Sequence, residues 1–258
     1  MDDAQLERYA QDMKRIVLRE RDQARQVELL LTRVQVCEGE LRDALESERQ
    51  HHLEIQDSHD EVVMRLCKAI ALRHHEEVRL GRLSQYCDVL SRSLSLSESE
   101  THQIALGAPL HDIGVIGISD AILLKPGPLT AEETASMRRH CQIGADLLRG
   151  SSSPLIETAR QIALTHHEHW DGSGYPHGLA GTDIPLCGRI VKLIDIYDAL
   201  RSARPCKAAM PHTQARKIIL EGNGRLDPSH VDPELLLSFE RCEREFDEIF
   251  EGQRGGES

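Results

Sequence analysis

Apolar side chains recur at alternating steps of three and four residues along the first sixty residues, on a strongly charged background. The series is Leu6, Ala10, Met13, Val17, Ala24, Val27, Leu31, Val34, Leu41, Leu45 and Ile55, interrupted by Glu20, Glu38, Glu48 and His52. Such steps place apolar residues on one seam of a helix, which is typical of a coiled coil. We predict a coiled-coil helix over residues 1–60. A parallel homodimer is the favoured assembly, and an antiparallel hairpin or another oligomer stays open.

Beyond residue 60 the apolar positions keep a helical period, punctuated by Gly, Pro and Ser. The pattern predicts a first helix over 61–95, a Ser/Glu-rich turn over 91–100, and later helices over 213–220 and 232–246. Thr130 followed three residues later by Glu133 predicts a capping box at a helix start.

Few runs of β-branched or alternating residues occur, so the sequence predicts an all-α fold. The predicted organisation is a coiled-coil helix over residues 1–60, one helical domain over 61–250 and a disordered tail over 251–258.

Candidate chemistry is concentrated between His166 and Pro176, where three histidines, two carboxylates and a Gly-rich turn fall within eleven residues. Adjacent histidines point about 100° apart on a helix, so a shared site needs further ligands from elsewhere. His111-Asp112, His140 and Asp195 can supply them. Imidazole and carboxylate together suit iron, manganese, zinc or nickel. Two ions about 3.5 to 4 Å apart would orient a hydroxide for phosphodiester hydrolysis.

Each of these residues also has an ordinary structural interpretation. His111-Asp112 alone is more often a hydrogen-bonded pair at a helix end, and His140 follows two arginines at a possible helix C-terminus. Asp195 can cap a turn, and Asp-Gly-Ser-Gly is an ordinary loop composition. The fixed order of all these elements favours the metal site.

The ordered motifs resemble the HD-GYP family, a branch of the HD phosphohydrolases that degrade cyclic di-GMP. The resemblance runs from about Leu66 to Phe250. It rests on His-Asp-Ile-Gly at 111–114, Ile-Leu-Leu-Lys-Pro-Gly at 122–127, His140 with Ile143-Gly144, the 166–176 segment, Gly178-Leu179, Ile184-Pro185, Arg189-Ile190, Asp195 with Asp198-Ala199-Leu200, and Arg204-Pro205.

The resemblance implies an HD-type helical bundle with a metal cluster between its helices. The implied metal ligands are His111, Asp112, His140, His166, His167 and Asp195. Asp112 would bridge two divalent ions, iron or manganese, and would carry the catalytic step together with His111. The implied nucleotide contacts are Lys125, Tyr175, Arg189, Arg204 and Lys207. The implied reaction is hydrolysis of cyclic di-GMP to linear pGpG.

Three positions depart from the pattern of the family. Its Glu-Thr-Gly-x-His stretch aligns with this chain so that His75 replaces the Glu and Arg79 replaces the His, while Val115 stands where Lys is usual. Arginine has no lone pair for a metal, so one ion would lose a nitrogen ligand unless His75 or His74 replaced it. A catalytically degenerate domain, acting as a cyclic di-GMP receptor or signalling scaffold, is therefore the alternative.

Composition sets the remaining limits. The net charge of −12 argues against a nucleic-acid polymer as partner. The seven cysteines are widely spaced without a CxxC pair, which favours free thiols in a reducing compartment. No signal peptide or apolar run of about 18 residues is visible, so we expect a soluble cytoplasmic protein without a membrane span. A signalling partner acting through the coiled coil is the expected route of regulation.

Overall fold

The computed structural model describes residues 3–72, 77–203 and 209–254. Its contacts divide the chain into two compact units, residues 1–59 and 60–258. Helix α1 spans Asp3–Ala71. Within the first unit the apolar seam lies on the surface of α1, with Leu31 58% and Leu41 62% exposed.

The second unit is built from helices that follow one another through short connections. They are α2 (Glu77–Ser93), α3 (Glu98–Gly107), α4 (Asp120–Leu123), α5 (Ala131–Arg138), α6 (His140–Leu147), α7 (Pro154–Thr165), α8 (Leu186–Arg201), α9 (His212–Glu221) and α10 (Pro233–Arg254). Short 3-10 helices lie at Ala108–Leu110, Ile113–Gly117, Gly181–Asp183 and Pro228–His230. The described residues contain no strand, only an isolated bridge between Asp171 and Ala180. The prediction of an all-α fold is confirmed.

Helix boundaries differ from the prediction near residues 61–100. The single helix expected over 61–95 is divided, because α1 ends at Ala71 and α2 begins at Glu77. The turn expected over 91–100 is partly helical. Ser97 caps the N-terminus of α3, and the Glu100 side chain accepts a hydrogen bond from Ser97 N. Serine and glutamate favour a turn by composition, but at this spacing they start a helix.

The capping box predicted at Thr130 is confirmed. The Thr130 hydroxyl accepts a hydrogen bond from Glu133 N at 3.2 Å, and Glu133 Oε2 accepts one from Thr130 N at 2.8 Å.

The C-terminal helix α10 continues to Arg254, into the tail expected to be disordered from residue 251. The Arg201 Nη2 group donates to Glu251 Oε1 at 2.7 Å, and Phe250 beside it is buried. These contacts with α8 stabilise the last turn of α10. The composition of residues 251–258 alone does not predict them. Residues 255–258 lie outside the described part of the chain.

The core of the second unit contains most of the few aromatic residues in the chain. Tyr86 of α2 stacks on Phe246 of α10, with ring centroids 4.7 Å apart. Tyr197 of α8 meets both rings edge-on, at 5.5 and 5.2 Å, and Phe239 lies 5.2 Å from Phe246. All four side chains have 0% exposure. Helices α2, α8 and α10 are therefore joined by one aromatic cluster.

Buried ion pairs add a second connection between α2 and α8. Arg82 Nε donates to Asp198 Oδ1 at 2.7 Å, and both side chains are buried. A buried carboxylate is costly unless it is paired in this way, so the bond fixes the register of the two helices.

None of the described helices has the length and apolar composition needed to cross a membrane.

We expect Phe246→Ala to lower the free energy of unfolding by about 3–5 kcal/mol, since it removes a ring from the centre of the aromatic cluster. Leu237→Ala on the same helix is the control, because Leu237 is 61% exposed and should change stability by less than about 0.5 kcal/mol. Urea denaturation of both variants measures the difference. Equal effects would show that the cluster does not hold α10.

Candidate metal centre

Three helix ends of the helical unit carry His111, Asp112, His140 and His166, four of the residues predicted as metal ligands. His111 follows the 3-10 helix Ala108–Leu110, and Asp112 comes next in a bent connection. His140 is the first residue of α6, and His166 follows the last residue of α7. Helix ends thus point these side chains at one another, with His111, His140 and His166 buried.

Three of these imidazoles have one nitrogen bound to a backbone carbonyl. The Nδ1 atoms of His111, His140 and His166 lie 2.9, 2.8 and 3.0 Å from the carbonyl oxygens of Ala108, Met137 and Ile162, respectively. A carbonyl oxygen can only accept, so each Nδ1 carries the hydrogen. In the neutral ring the lone pair is then on Nε2, which is the arrangement that metal-ligating histidines use.

The Nε2 atoms converge on the carboxylate of Asp112. His140 Nε2 and His166 Nε2 are 3.5 Å apart and lie 3.3 and 3.6 Å from Asp112 Oδ1. On the other side, His111 Nε2 lies 3.1 Å from Asp112 Oδ2. Lone pairs and a carboxylate at these distances repel one another unless a cation, either a proton or a metal ion, lies between them.

At neutral pH the protonation states of these side chains favour a metal ion, and not a proton, as the cation between them. Burial is the main reason that the pKa of His166 falls to about 4, and burial likewise lowers the pKa of His167 strongly. Burial opposes ionisation of Asp112, but His111 and His166 outweigh it and hold the pKa of the carboxyl well below its ordinary value. Neutral imidazoles around an ionised carboxylate are the states that bind a divalent ion.

The donor set fits such an ion. Ligand atoms on a tetrahedral ion with bonds of about 2.1 Å are about 3.4 Å apart, which matches the 3.3 to 3.6 Å separations found here. About a quarter of the Asp112 side chain (26%) is exposed, so the centre opens to solvent at the carboxylate. We therefore regard Asp112, His140 and His166 as a candidate metal centre, with His167 as a further ligand because its ring nitrogen lies within 4.8 Å of those of His140 and His166.

His167 and a cysteine complete the surroundings. The ring of His167 lies 5.1 Å from that of His140 and 4.0 Å from that of His166. Cys141 Sγ lies 3.5 Å from His140 Nε2. Burial raises the pKa of Cys141 to about 12, so the thiol stays protonated. Cys141 was missed in the sequence, although its position directly after His140 was a usable signal.

Asp195 has a different partner from the one that the sequence predicted. Its Oδ1 atom accepts a hydrogen bond from Arg79 Nη2, and the Arg79 side chain is 7% exposed. Arg79 Nε also lies 3.2 Å from Asp198 Oδ2. The replacement of the family's histidine by Arg79 thus places a guanidinium group against a predicted metal ligand.

Two of the four predicted nucleotide-binding cations, Lys125 and Arg189, are engaged within the chain. Lys125 Nζ donates to Glu133 Oε2 at 2.6 Å, and Arg189 donates to Asp232 Oδ2 and to the Ile184 carbonyl. Arg204, Lys207, His74 and His75 lie outside the described residues. Val115 is buried.

Tyr175 lies directly beside the centre. Its ring stacks on that of His167, with centroids 4.7 Å apart, and the Arg138 guanidinium lies 4.6 Å from the Tyr175 centroid. Burial raises the pKa of Tyr175, so the phenol stays neutral. Arg138 was missed in the sequence because nothing local distinguishes it from a surface cation on α5.

The loop between His167 and Pro176 is fixed by its own side chains. The buried Glu168 accepts hydrogen bonds from His177 N at 2.7 Å and from Leu179 N at 3.1 Å. A Cβ on Gly174 would lie 2.2 Å from His169 N, so only glycine fits where the loop folds back. The sequence signature thus sets the backbone path that carries Tyr175 to His167.

Comparison with known proteins agrees with this architecture. Residues 42–230 match the family described as HD domain. The chain belongs to the HD domain family. The predicted resemblance to the HD-GYP branch is confirmed by similar proteins that are named cyclic di-GMP phosphodiesterases.

Curated relatives match about 70% of the chain. The cyclic di-GMP phosphodiesterase response regulator RpfG of Xanthomonas campestris pv. campestris is 45% identical over 181 residues, covering 69% of this chain and 48% of the relative. The cyclic di-GMP phosphodiesterase of Thermotoga maritima is 41% identical, covering 70% and 47%. The 3'3'-cGAMP-specific phosphodiesterase 2 of Vibrio cholerae is 39% identical, covering 71% and 35%. The chain spans less than half the length of these relatives.

Solved structures support the fold. The cyclic GMP-AMP specific phosphodiesterase V-cGAP3 of V. cholerae gives a TM-score of 0.53 at 22% identity, over 75% of this chain and 50% of that one. An HD-GYP-type protein, Bd1817 of Bdellovibrio bacteriovorus, gives 0.51 at 17% identity, over 73% and 62%.

Gly114 allows the connection that carries Asp112 to pack closely against α6, which carries His140. A Cβ at this position would lie 1.9 Å from the His140 carbonyl oxygen and 2.5 Å from Gly144 N. We expect Gly114→Ala to push α6 away from Asp112, to lower bound metal after reconstitution with Mn²⁺, and to destabilise the protein by about 1–3 kcal/mol. Elemental analysis and thermal denaturation measure both effects.

Gly252→Ala is the matched control, since a Cβ there meets nothing within 4 Å. It should leave metal content unchanged. Full metal content in Gly114→Ala would show that the centre tolerates separation of α6 from the Asp112 connection.

Proposed function

We propose that this chain is a metal-dependent phosphodiesterase that hydrolyses cyclic di-GMP to linear pGpG. The observation that carries the proposal is the convergence of His140 Nε2, His166 Nε2 and Asp112 Oδ1 within 3.6 Å of one another. The names of its relatives supply the class of substrate, a cyclic dinucleotide.

A divalent ion at this centre supplies two things when bound: it activates a water as nucleophile and neutralises charge on the phosphate. The ionised Asp112 carboxylate is placed to orient that water, because its exposed edge faces solvent. His111 is the second proposed catalytic residue, because its Nε2 lies 3.1 Å from Asp112 Oδ2 and is placed to orient that carboxylate. A water protonates the departing 3′ oxygen.

Substrate contacts are proposed for Lys125, Tyr175, Arg189, Arg204 and Lys207. Tyr175 has the best support, because its ring lies beside His167 and its phenol is neutral. Arg138 is a further candidate, since its guanidinium lies over Tyr175 and suits a phosphate. Lys125 and Arg189 would have to leave Glu133 and Asp232 to reach a nucleotide.

The ions proposed are iron or manganese, which imidazole and carboxylate ligands suit. Two were predicted from the sequence. Asp112, His140, His166 and His167 support one of them. Support for a second ion, held by His111, Asp112 and Asp195, is weaker because Arg79 bonds to Asp195.

Replacing both His166 and His167 by alanine should abolish turnover of cyclic di-GMP and bound metal together, since two imidazole ligands are removed. Nucleotide chromatography and elemental analysis of anaerobically purified protein measure the two quantities. His177→Ala serves as the control, because only its backbone N–H is bound to Glu168.

Wild-type protein that binds metal but releases no pGpG would contradict the proposed reaction. It would favour the alternative of a degenerate receptor or scaffold.

We further propose that the chain dimerises through residues 1–60 in the cytoplasm. The exposed apolar seam of α1, including Leu31, Val34 and Leu41, is the support for the dimer. The described cysteines are free thiols, which is consistent with a reducing compartment. A signalling protein that pairs with the same helix is the partner we propose for regulation.

The dimer makes a prediction about two faces of α1. Leu31 and Leu41 lie on the seam, whereas Leu29 and Val36 lie on the opposite face of the heptads and are equally exposed. We expect Leu31→Glu/Leu41→Glu to reduce the mass in light scattering from dimer to monomer. Leu29→Glu/Val36→Glu should leave the dimer intact. The same mass for both double variants would place the interface elsewhere.

A further inference from the structure

The Arg79 side chain lines the same small cavity as Asp112, the carboxylate of the candidate metal centre. A small cavity beside the centre is lined by Arg79, His111 and Asp112, together with Cys67 and Ala71 of α1. The His111 side of Asp112, its Oδ2 side, thus faces a region that already contains a guanidinium group. Arginine stays protonated at any working pH and has no lone pair to offer an ion.

Among the described residues, Arg79 belongs to a set of four charged side chains whose charges balance. Arg79 bonds to Asp195 and lies 3.2 Å from Asp198, and Arg82 Nε lies 2.7 Å from Asp198. Two guanidinium groups and two carboxylates leave no net charge. The Arg79, Arg82 and Asp198 side chains are at most 8% exposed, and Asp195 is 22% exposed. A buried set of charged side chains is stable only while each charge has a partner of opposite sign.

A divalent ion bound by Asp195 would disturb this set in two ways. It would take a carboxylate oxygen that now accepts from Arg79, which leaves a buried guanidinium short of a partner. It would also place a dication beside that guanidinium, and such like charges repel strongly in a poorly solvated interior. On the opposite side of Asp112, His140 and His166 present lone pairs, and among the described contacts no guanidinium or ammonium group is bonded to Asp112.

We propose that Arg79 is a built-in cation that replaces a second metal ion at Asp195, so that the centre takes one divalent ion per chain. That ion is held by Asp112, His140, His166 and His167, and Asp195 is a partner of Arg79 and not a metal ligand. The inference rests on the proposed metal centre, but it concerns the number of ions and the role of Arg79, not the reaction. Arg79 is a positioning residue, since it acts on the centre through Asp195 and through its charge.

Metal stoichiometry is the first test. Full-length protein is reconstituted with Mn²⁺ and measured by elemental analysis and by electron paramagnetic resonance, which distinguishes isolated from spin-coupled Mn²⁺. We expect one isolated ion per chain in the wild type and in Arg79→Lys, which keeps the charge. Arg79→His supplies a lone pair and removes the permanent cation, so it should bind two coupled ions.

Asp195→Asn tests the ligand assignment without changing size. If Asp195 serves Arg79 alone, the variant still binds one ion per chain. Loss of an ion in Asp195→Asn, or two coupled ions in the wild type, overturns the proposal. This variant and the wild-type spectrum decide the question even if Arg79→His fails to fold.

Stability gives an independent readout. Arg79→Met leaves Asp195 unpaired, so the metal-free variant should melt roughly 10 °C below the wild type. Mn²⁺ should restore more of that loss than it adds to the wild type, because an ion can now replace the missing cation. Arg82→Met is the matched control: Mn²⁺ should not restore it, since Arg82 is paired with the buried Asp198. Equal restoration of both variants overturns the proposal.

Turnover of cyclic di-GMP, measured on the same samples, separates the two proposals. One ion without turnover rejects the reaction and leaves the role of Arg79 standing. Two ions with turnover rejects the role of Arg79 and leaves the reaction standing. A wild type that binds no Mn²⁺ rejects both.

Discussion

The pairing of buried charge between α2 and α8 is the constraint on which the rest of the helical unit depends. Asp195 and Asp198 lie one turn apart on α8, and Arg79 and Arg82 lie one turn apart on α2. A carboxylate cannot remain ionised in a packed interior without a partner, so these bonds fix how the two helices pack. They also leave Asp112 as the carboxylate that we propose for the metal.

The aromatic cluster and the candidate metal centre are built from different segments of the helical unit. Tyr86 and Tyr197 pack against α10 on one side, which makes α2 and α8 a rigid support. The ligands come from the ends of other segments, where the carbonyl groups of Ala108, Met137 and Ile162 accept a backbone N–H and have a second lone pair available. Those carbonyls accept from the Nδ1 groups of His111, His140 and His166 and so direct each Nε2 lone pair into the centre. The carbonyl groups at these helix ends thus fix the orientation of the histidine rings.

The departures from the HD-GYP pattern change the centre and leave the fold intact. Arg79 keeps Asp195 satisfied in the absence of a metal, so the histidine can be lost without leaving a buried charge. The buried Val115 removes a cation near Asp112 and adds apolar packing. These changes leave His140 and His166 in place, the side of Asp112 on which we propose that an ion binds.

The sequence by itself determined the local features: the seam of α1, the Thr130 capping box and the all-α class. Each depends on residues within a few positions of one another, because helical periodicity and caps are short-range properties. Tertiary structure decided the charge pairing. Arg79 and Asp195 are 116 positions apart, so their bond depends on how α2 and α8 pack. The same holds for the stacking of Tyr86 on Phe246 and for Arg138 over Tyr175. Those contacts exist only after the chain has folded, and no local pattern encodes them.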